Sequence, residues 1–138
     1  MIRVLLADDR EVVRAGVAQF LANYDDIDVV GQAGDGVAAV RLSDETNPDV
    51  ILMDLVMPEM DGIEATRRIL AKQPDTRVIV FTVFSERDNV FRAMDAGAIG
   101  YLMKGSDPDE LVRGIRAAMI GESAFGPEAM RVLASRAS

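Results

Sequence analysis

The sequence predicts an α/β fold in which five βα units form a doubly wound, five-stranded parallel sheet. Three observations predict it. Five short runs rich in Val, Ile and Leu recur along the chain, segments with helical spacing separate them, and helix-capping residues stand at several boundaries. Three of the runs are almost continuously apolar, which is typical of strands covered on both faces.

Each predicted strand is short and is followed by a polar or turn-forming segment. The strands are IRVLLA (2–7), IDVVGQA (27–33), DVILMD (49–54), RVIVFT (77–82) and IGYLMK (99–104). The second run ends in Ala33, Gly34 and Asp35, which is typical of a turn. We therefore expect that strand to lie at an edge of the sheet, away from the ends of the others.

The intervening segments show apolar residues at helical spacing. The residues that share a face are Val13, Val17, Phe20 and Leu21 in the first segment, Ile63, Thr66 and Leu70 in the third, and Leu111, Ile115, Ala118 and Met119 in the fifth. Asp61 begins an aspartate version of the capping box, and Asp107-Pro108 supplies a cap with proline at the first helical position. Gly97 and Gly121 are expected to end helices.

The length of 138 residues suits one domain with a single core. We expect that domain to span residues 1–121. The segment GESAFGP (121–127) is the one plausible boundary, and residues 122–138 are expected to form a linker or a short helix.

Composition excludes several classes of function. Acidic residues outnumber basic ones, 23 against 15, and the formal charge of −8 disfavours binding of DNA or RNA by this chain alone. The chain has no cysteine and no histidine, which excludes disulfides, thiolate nucleophiles and imidazole chemistry. Any metal must therefore be bound by oxygen, which favours Mg²⁺, Mn²⁺ or Ca²⁺.

The sequence contains no apolar run that approaches the roughly 20 residues of a membrane span. Its beginning, MIRVLLADD, leads directly into a predicted strand without a signal-peptide pattern. We therefore expect a cytoplasmic protein with no membrane partner.

Four of the five predicted strands end in residues whose charged or hydroxyl side chains could bind a ligand or react. The first ends in Asp8 and Asp9, the third in Asp54, the fourth in Thr82 and the fifth in Lys104. Sites in open α/β sheets form beyond the carboxyl ends of the strands. Taken singly, each residue has an ordinary explanation as a helix cap, a strand residue or a surface lysine. Their coincidence at one edge favours a functional site.

The combination of side chains indicates phosphoryl transfer. Three converging carboxylates, those of Asp8, Asp9 and Asp54, repel one another, so they need a cation or one of them must be protonated. With no histidine or cysteine nearby, a cation bound by oxygen is favoured, and Mg²⁺ is the best match. A lysine and a threonine hydroxyl at the same edge are useful if an anion also binds. A strand-end aspartate can itself be the nucleophile and form an aspartyl phosphate, and Asp54 is the candidate.

The sequence resembles the receiver domain of two-component response regulators. The matching pieces are VLLADD (4–9), DVILMDLVMPEMDGIEATRRI (49–69), VIVFT (78–82) and AGAIGYLMK (96–104). Together with the tail GESAFGPEAMRVLA, they are most similar to the NarL/FixJ subfamily, whose receivers usually precede a LuxR-type helix-turn-helix output domain. The resemblance implies a flavodoxin-like strand order, 2-1-3-4-5.

The resemblance also implies roles for individual residues. Asp54 would accept the phosphoryl group from a phosphohistidine of a sensor histidine kinase. Asp9, Asp54 and the main-chain carbonyl of Val56 would coordinate Mg²⁺ directly, and Asp8 would act through water. Lys104 would pair with the phosphate.

A second set of implied roles concerns switching and lifetime. Thr82 would move to hydrogen-bond the phosphate, and Tyr101 would follow it inward, although an aromatic residue in a strand is more commonly a packing residue. The output surface would be residues 86–120. The side chains of Val56 and Phe84 would tune the access of water to the phosphate. Receivers often have a proline in a cis bond after the conserved lysine, whereas here Gly105 follows Lys104, where a cis bond would cost about 3–4 kcal/mol.

The resemblance implies a phosphoacceptor rather than an enzyme. This phosphoacceptor would support its own phosphorylation and its slow dephosphorylation. A phosphorylation-dependent homodimer is expected, with DNA bound only through an output domain that lies outside this chain. One alternative is a stand-alone receiver that acts as a phosphorylation-dependent protein-binding module. A degenerate receiver is disfavoured because no site residue is missing. A haloacid-dehalogenase-type phosphatase is disfavoured because Val56 stands where its general-acid aspartate is needed.

Overall fold

The computed structural model describes residues 1–136, which form one parallel sheet flanked by helices. The strands are β1 (Ile2–Ala7), β2 (Ile27–Ala33), β3 (Val50–Met53), β4 (Arg77–Thr82), β5 (Gly100–Met103) and β6 (Ala124–Phe125). The helices are α1 (Glu11–Leu21), α2 (Gly36–Thr46), α3 (Gly62–Lys72), α4 (Arg87–Asp95), α5 (Pro108–Met119) and α6 (Pro127–Arg136).

The sheet has the order β2-β1-β3-β4-β5-β6, and all its neighbouring strands pair in parallel. The predicted order 2-1-3-4-5 is confirmed, and β2 lies at an edge as expected. The expectation of five strands is corrected by one, because β6 adds a sixth. Strands β3 and β5 are also shorter than the runs 49–54 and 99–104, by one residue at each end.

Alternate residues of the central strands divide the core between the two faces of the sheet, as the two-residue period of a strand requires. On one face, Val4 and Leu6 pack in a cluster that includes Ile115 of α5. On the other face, Leu5 and Ala7 pack in a cluster that includes Ile69 of α3. These runs are buried on both sides, which explains their continuous apolar character.

The predicted helix boundaries agree with the observed caps. Asp61 Oδ1 accepts a hydrogen bond from the Glu64 N–H at 2.9 Å. Asp107 caps α5, with Pro108 at its start. Gly97 and Gly121 follow α4 and α5 with φ of 108° and 84°, the left-handed conformation that ends helices most readily at glycine.

The C-terminal segment is folded against the domain rather than extended as a linker. β6 pairs with β5 through Gly100–Ala124 and Tyr101–Phe125. Ala129 of α6 is buried in an apolar cluster with Val90 of α4. Within the expected linker or short helix of residues 122–138, Pro127–Arg136 form α6, and the last two residues lie outside the described part of the chain. Part of the expected output surface, residues 86–120, lies under this helix.

None of the helices in residues 1–136 combines the length and the apolar character that a membrane span requires.

Candidate functional site

The backbone places Asp8, Asp54 and Lys104 directly after their strands and ties each of them to a neighbouring strand. The Asp8 N–H donates to the Ala33 carbonyl at 3.0 Å, and the Asp54 N–H donates to the Ala7 carbonyl at 2.9 Å. The Lys104 N–H donates to the carbonyl of Thr82 at 2.8 Å. The residues therefore continue the sheet by one hydrogen bond each, and their side chains meet at one edge.

Three carboxylates gather at this edge, as the sequence predicts. One carboxylate oxygen from each of Asp8, Asp9 and Asp54 lies within 4.8 Å of the others. Asp8 and Asp54 are buried, with 6% and 7% of their surface exposed, whereas Asp9 is exposed. Two carboxylates of the cluster are therefore buried, and the third faces solvent.

Lys104 connects the two buried carboxylates. Its Nζ donates to Asp54 Oδ2 at 3.0 Å and to Asp8 Oδ2. Asp54 Oδ1 accepts a second hydrogen bond, from the Leu55 N–H at 2.8 Å. Because buried charges need charged or hydrogen-bonding partners, these contacts satisfy the two buried carboxylates and fix their orientations.

The donors present suit a hard divalent cation. One ammonium faces three carboxylates, so the cluster as it stands keeps an excess of negative charge. Carboxylate oxygens are the ligands that Mg²⁺ prefers, and the chain has no cysteine or histidine to supply a thiolate or an imidazole. A divalent cation at Asp8, Asp9 and Asp54 would remove the remaining repulsion.

Thr82 and Tyr101 lie in the interior next to this edge. Thr82 is fully buried, and its Oγ1 accepts a hydrogen bond from the Phe84 N–H at 3.4 Å. Tyr101 is buried in the inward position, with its hydroxyl donating to the Phe84 carbonyl. Burial, followed by the charges of Glu86 and Asp54, raises the pKa of the Tyr101 phenol above its usual range. The phenol therefore stays protonated and able to donate at neutral pH.

Val56 and Phe84 lie on the loops that flank the carboxylates. Val56 is in the turn between β3 and α3 with 59% of its surface exposed, and Phe84 is in the loop between β4 and α4 with 37% exposed. Residues 1–136 contain no cis peptide bond, so Lys104-Gly105 is trans, and Gly105 has a φ of 88°.

Sequence reasoning missed the part played by Gly62. A β-carbon on Gly62 would lie 1.9 Å from the main-chain oxygen of Asp54, so only glycine fits where α3 begins. The Gly62 N–H also donates to the Leu55 carbonyl at 2.8 Å. The Asp61-Gly62 pair in the sequence could have indicated this close approach, but the capping role of Asp61 was enough to explain the pair. Its second function is to let α3 approach the peptide that carries Asp54.

Sequence reasoning also missed Arg14. Its guanidinium Nη1 donates to the main-chain carbonyl of Asp8 at 2.5 Å. Nothing in the spacing of α1 separates this arginine from an ordinary exposed helix residue, because the contact depends on the path of the loop between β1 and α1.

Comparison with known proteins agrees with this geometry. The family model described as the response regulator receiver domain matches residues 4–116. The transcriptional regulatory protein LiaR of Bacillus subtilis (strain 168) is 53% identical over 122 residues, which cover 88% of this chain and 58% of LiaR. The chain therefore spans little more than half the length of that relative.

Solved structures are also similar over almost the whole chain. A two-component response regulator of the LuxR family from Aurantimonas sp. SI85-9A1 has a TM-score of 0.93 at 36% identity, covering 100% of this chain and 99% of that one. The isolated REC domain of RcsB from Salmonella enterica serovar Typhimurium, solved with the phosphomimetic BeF₃⁻, has a TM-score of 0.86 at 25% identity, covering 95% and 97%. By its fold, its acidic cluster and these similarities, the chain belongs to the response regulator receiver domains of two-component systems, within the NarL/FixJ subfamily.

Proposed function

We propose that this receiver is phosphorylated on Asp54 by a sensor histidine kinase, in a reaction that requires Mg²⁺. The observation that carries the proposal is the bridge from Lys104 to Asp8 and Asp54 inside a cluster of three carboxylates. A lysine between carboxylates is redundant for holding a cation alone. It becomes useful when a phosphoryl group also enters the site.

The cation would be held by Asp8, Asp9, Asp54 and the main-chain carbonyl of Val56. Asp9 and Asp54 would bind it directly, and Asp8 would act through water. When bound, Mg²⁺ neutralises the charge that develops on the phosphoryl oxygens. The support within the chain is the all-oxygen donor set and its excess negative charge.

In the transfer itself, a carboxylate oxygen of Asp54 forms the new P–O bond while the P–N bond of the donor phosphohistidine breaks, and the imidazole departs. Lys104, now 3.0 Å from Asp54 Oδ2, is placed to donate to a phosphoryl oxygen. Among residues 1–136, the hydroxyl of Thr82 has only a long hydrogen bond of 3.4 Å from the Phe84 N–H, so it can turn and donate as well.

The switch would pass from Thr82 to Tyr101 and then to the 86–120 face. Phe84 links the two, because its N–H donates to Thr82 and its carbonyl accepts from Tyr101. A rotation of Thr82 would therefore disturb both contacts of the loop between β4 and α4. Tyr101 also pairs with Phe125 of β6, so the segment that leads out of the domain would be affected.

The physiological output would be transcription, through a DNA-binding domain controlled by residues 1–121 and joined to them by the segment from residue 122. LiaR is named a transcriptional regulatory protein, and the Aurantimonas neighbour is assigned to the LuxR family. A phosphorylation-dependent homodimer would bring two such domains together. A stand-alone receiver that acts as a phosphorylation-dependent binding module is the second candidate, favoured by the folding of residues 122–136 onto β5 and α4.

Acetyl phosphate with Mg²⁺ tests the acceptor directly. We expect the wild-type protein to gain one phosphoryl group by intact mass, and Asp54→Ala to gain none. Asp75→Ala is the matched control, because Asp75 is exposed and precedes β4, at the amino-terminal ends of the strands, opposite the site. Uptake that persists in Asp54→Ala would show that another residue is the acceptor.

A further inference from the structure

Arg14, in the first turn of α1, reaches back to the loop that carries Asp8 and Asp9. Its Nη1 donates a hydrogen bond of 2.5 Å to the main-chain carbonyl of Asp8. The same nitrogen lies 3.5 Å from the position that a β-carbon on Gly34 would occupy. The guanidinium therefore sits where the loops after β1 and β2 meet.

Ion pairing does not account for this placement. Within residues 1–136, Arg14 forms no salt bridge within 4.0 Å, although three carboxylates lie on the same side of the sheet. Its Nε is buried without a hydrogen-bond partner among these residues, an arrangement that normally costs free energy. The bond to the Asp8 carbonyl is the one directional contact that its side chain makes there.

That carbonyl belongs to the peptide that joins the two acidic residues. Because a peptide unit is planar, the direction of the Asp8 carbonyl also fixes the direction of the Asp9 N–H. Asp8 is held independently, since its carboxylate accepts bonds from the Arg10 N–H and from Lys104. The Asp9 side chain is exposed and has no hydrogen bond or ion pair within the described residues, so its direction depends on that peptide.

We propose that Arg14 is a positioning residue for the divalent-cation site. By holding the Asp8–Asp9 peptide, it turns the carboxylate of Asp9 toward those of Asp8 and Asp54. This inference rests on the proposed function, in which these carboxylates hold Mg²⁺. Outer partners that orient metal ligands typically change metal affinity by roughly tenfold to hundredfold when they are removed.

The test compares Mg²⁺ affinity with stability in the absence of metal. Arg14→Met keeps most of the aliphatic stem and removes the donors, Arg14→Lys keeps the charge and one donor group, and Arg41→Met is the surface control. Isothermal titration with Mg²⁺ alone gives Kd, and thermal unfolding in EDTA gives stability. We expect Arg14→Met to raise Kd about tenfold and Arg14→Lys to raise it less. Arg41→Met should match the wild type.

A second readout separates positioning from contact with the phosphate. At saturating Mg²⁺, the Arg14→Met variant should bind beryllofluoride as completely as the wild type, because Arg14 does not reach Asp54. A Kd that is unchanged, or that falls because a repelling cation has gone, would overturn the inference. A rise in Kd that only follows a loss of folding in EDTA would also overturn it.

If Arg14→Met fails to fold, Arg14→Lys decides the question: it must raise Kd without lowering the melting temperature in EDTA, and an unchanged Kd rejects the inference. A wild-type protein that does not bind Mg²⁺ would instead reject the proposed metal site itself.

Discussion

Asp54 differs from the aspartates that cap helices in what its side chain does. Asp35, Asp61 and Asp107 each accept a hydrogen bond from a main-chain N–H in the first turn of a helix. Asp54 caps no helix: its carboxylate is buried, contacts Lys104 and accepts from the adjacent Leu55 N–H. The ordinary explanation of a strand-end aspartate as a cap therefore fails at this position.

The lifetime of an aspartyl phosphate depends on whether a water molecule can reach the phosphorus in line. Val56 and Phe84 are both apolar and cannot orient such a water, and exclusion of water protects reactive intermediates. We expect slow intrinsic decay, which suits control of transcription. The double variant Val56→Asn/Phe84→Glu should lose phosphate about tenfold faster or more, equivalent to about 1.4 kcal/mol of barrier.

This decay is measured by following the phosphorylated mass after acetyl phosphate is removed. A double variant with Val37→Asn and Ile120→Glu, two exposed apolar positions outside the site, controls for added surface polarity. Equal decay rates for the Val56/Phe84 double variant and the wild type would show that these side chains do not shield the phosphate.

Among the secondary-structure elements, α6 has contacts that bear on the switch. Its Ala129 is buried in the cluster that contains Tyr101, and Val132 and Leu133 pack against the same cluster. At its end, Arg136 lies 3.6 Å from Asp95 of α4. The helix therefore covers part of the 86–120 face.

The docking of α6 can be broken at one residue. Ala129→Glu would place a carboxylate in an apolar cluster, where an unpaired charge costs more to bury than the roughly 1–3 kcal/mol of a neutral polar group. We expect the helix to detach and α4 to become more open to hydrogen exchange. Met130→Glu, on the exposed side of the same helix, should change stability by less than about 0.5 kcal/mol. If α4 shows the same exchange in both variants, α6 does not protect it.

The elements also show how far the sequence alone could lead. The strands β1, β2 and β4 match the predicted runs. The strand-end residues Asp8, Asp9, Asp54 and Lys104 lie together, as their order along a parallel sheet predicts. The strand β6 was missed because two residues, Ala124 and Phe125, show no periodicity. Gly62 and Arg14 were missed because their contacts depend on how distant segments approach each other.

At the scale of the whole molecule, the metal site should be linked to stability. The carboxylates of Asp8, Asp9 and Asp54 repel one another, and Mg²⁺ would bind them only in the folded state. Mg²⁺ should therefore raise the melting temperature. At a Mg²⁺ concentration of a hundred times Kd, it should raise the free energy of unfolding by about 2.7 kcal/mol. Asp9→Asn should reduce this effect, and Asp75→Asn should leave it intact. A melting temperature that millimolar Mg²⁺ does not change would argue against the site.

Self-association is the second property of the whole molecule. In the proposed switch, which runs from Thr82 through Tyr101 to the 86–120 face, phosphorylation should shift a two-state equilibrium of that face. We expect a modest homodimer with Mg²⁺ and beryllofluoride and a monomer without them. Sedimentation equilibrium measures the mass in each condition. The same mass in both conditions would show that phosphorylation does not drive self-association.

The most direct test locates the phosphoryl group in the wild-type protein. After reaction with acetyl phosphate and Mg²⁺, borohydride reduces an aspartyl phosphate to homoserine, and peptide mass spectrometry identifies the reduced residue. We predict homoserine at position 54 alone, and none when EDTA replaces Mg²⁺. Reduction at another aspartate, or equal reduction of Asp54 without a divalent cation, would contradict a Mg²⁺-dependent phosphoacceptor at the end of β3.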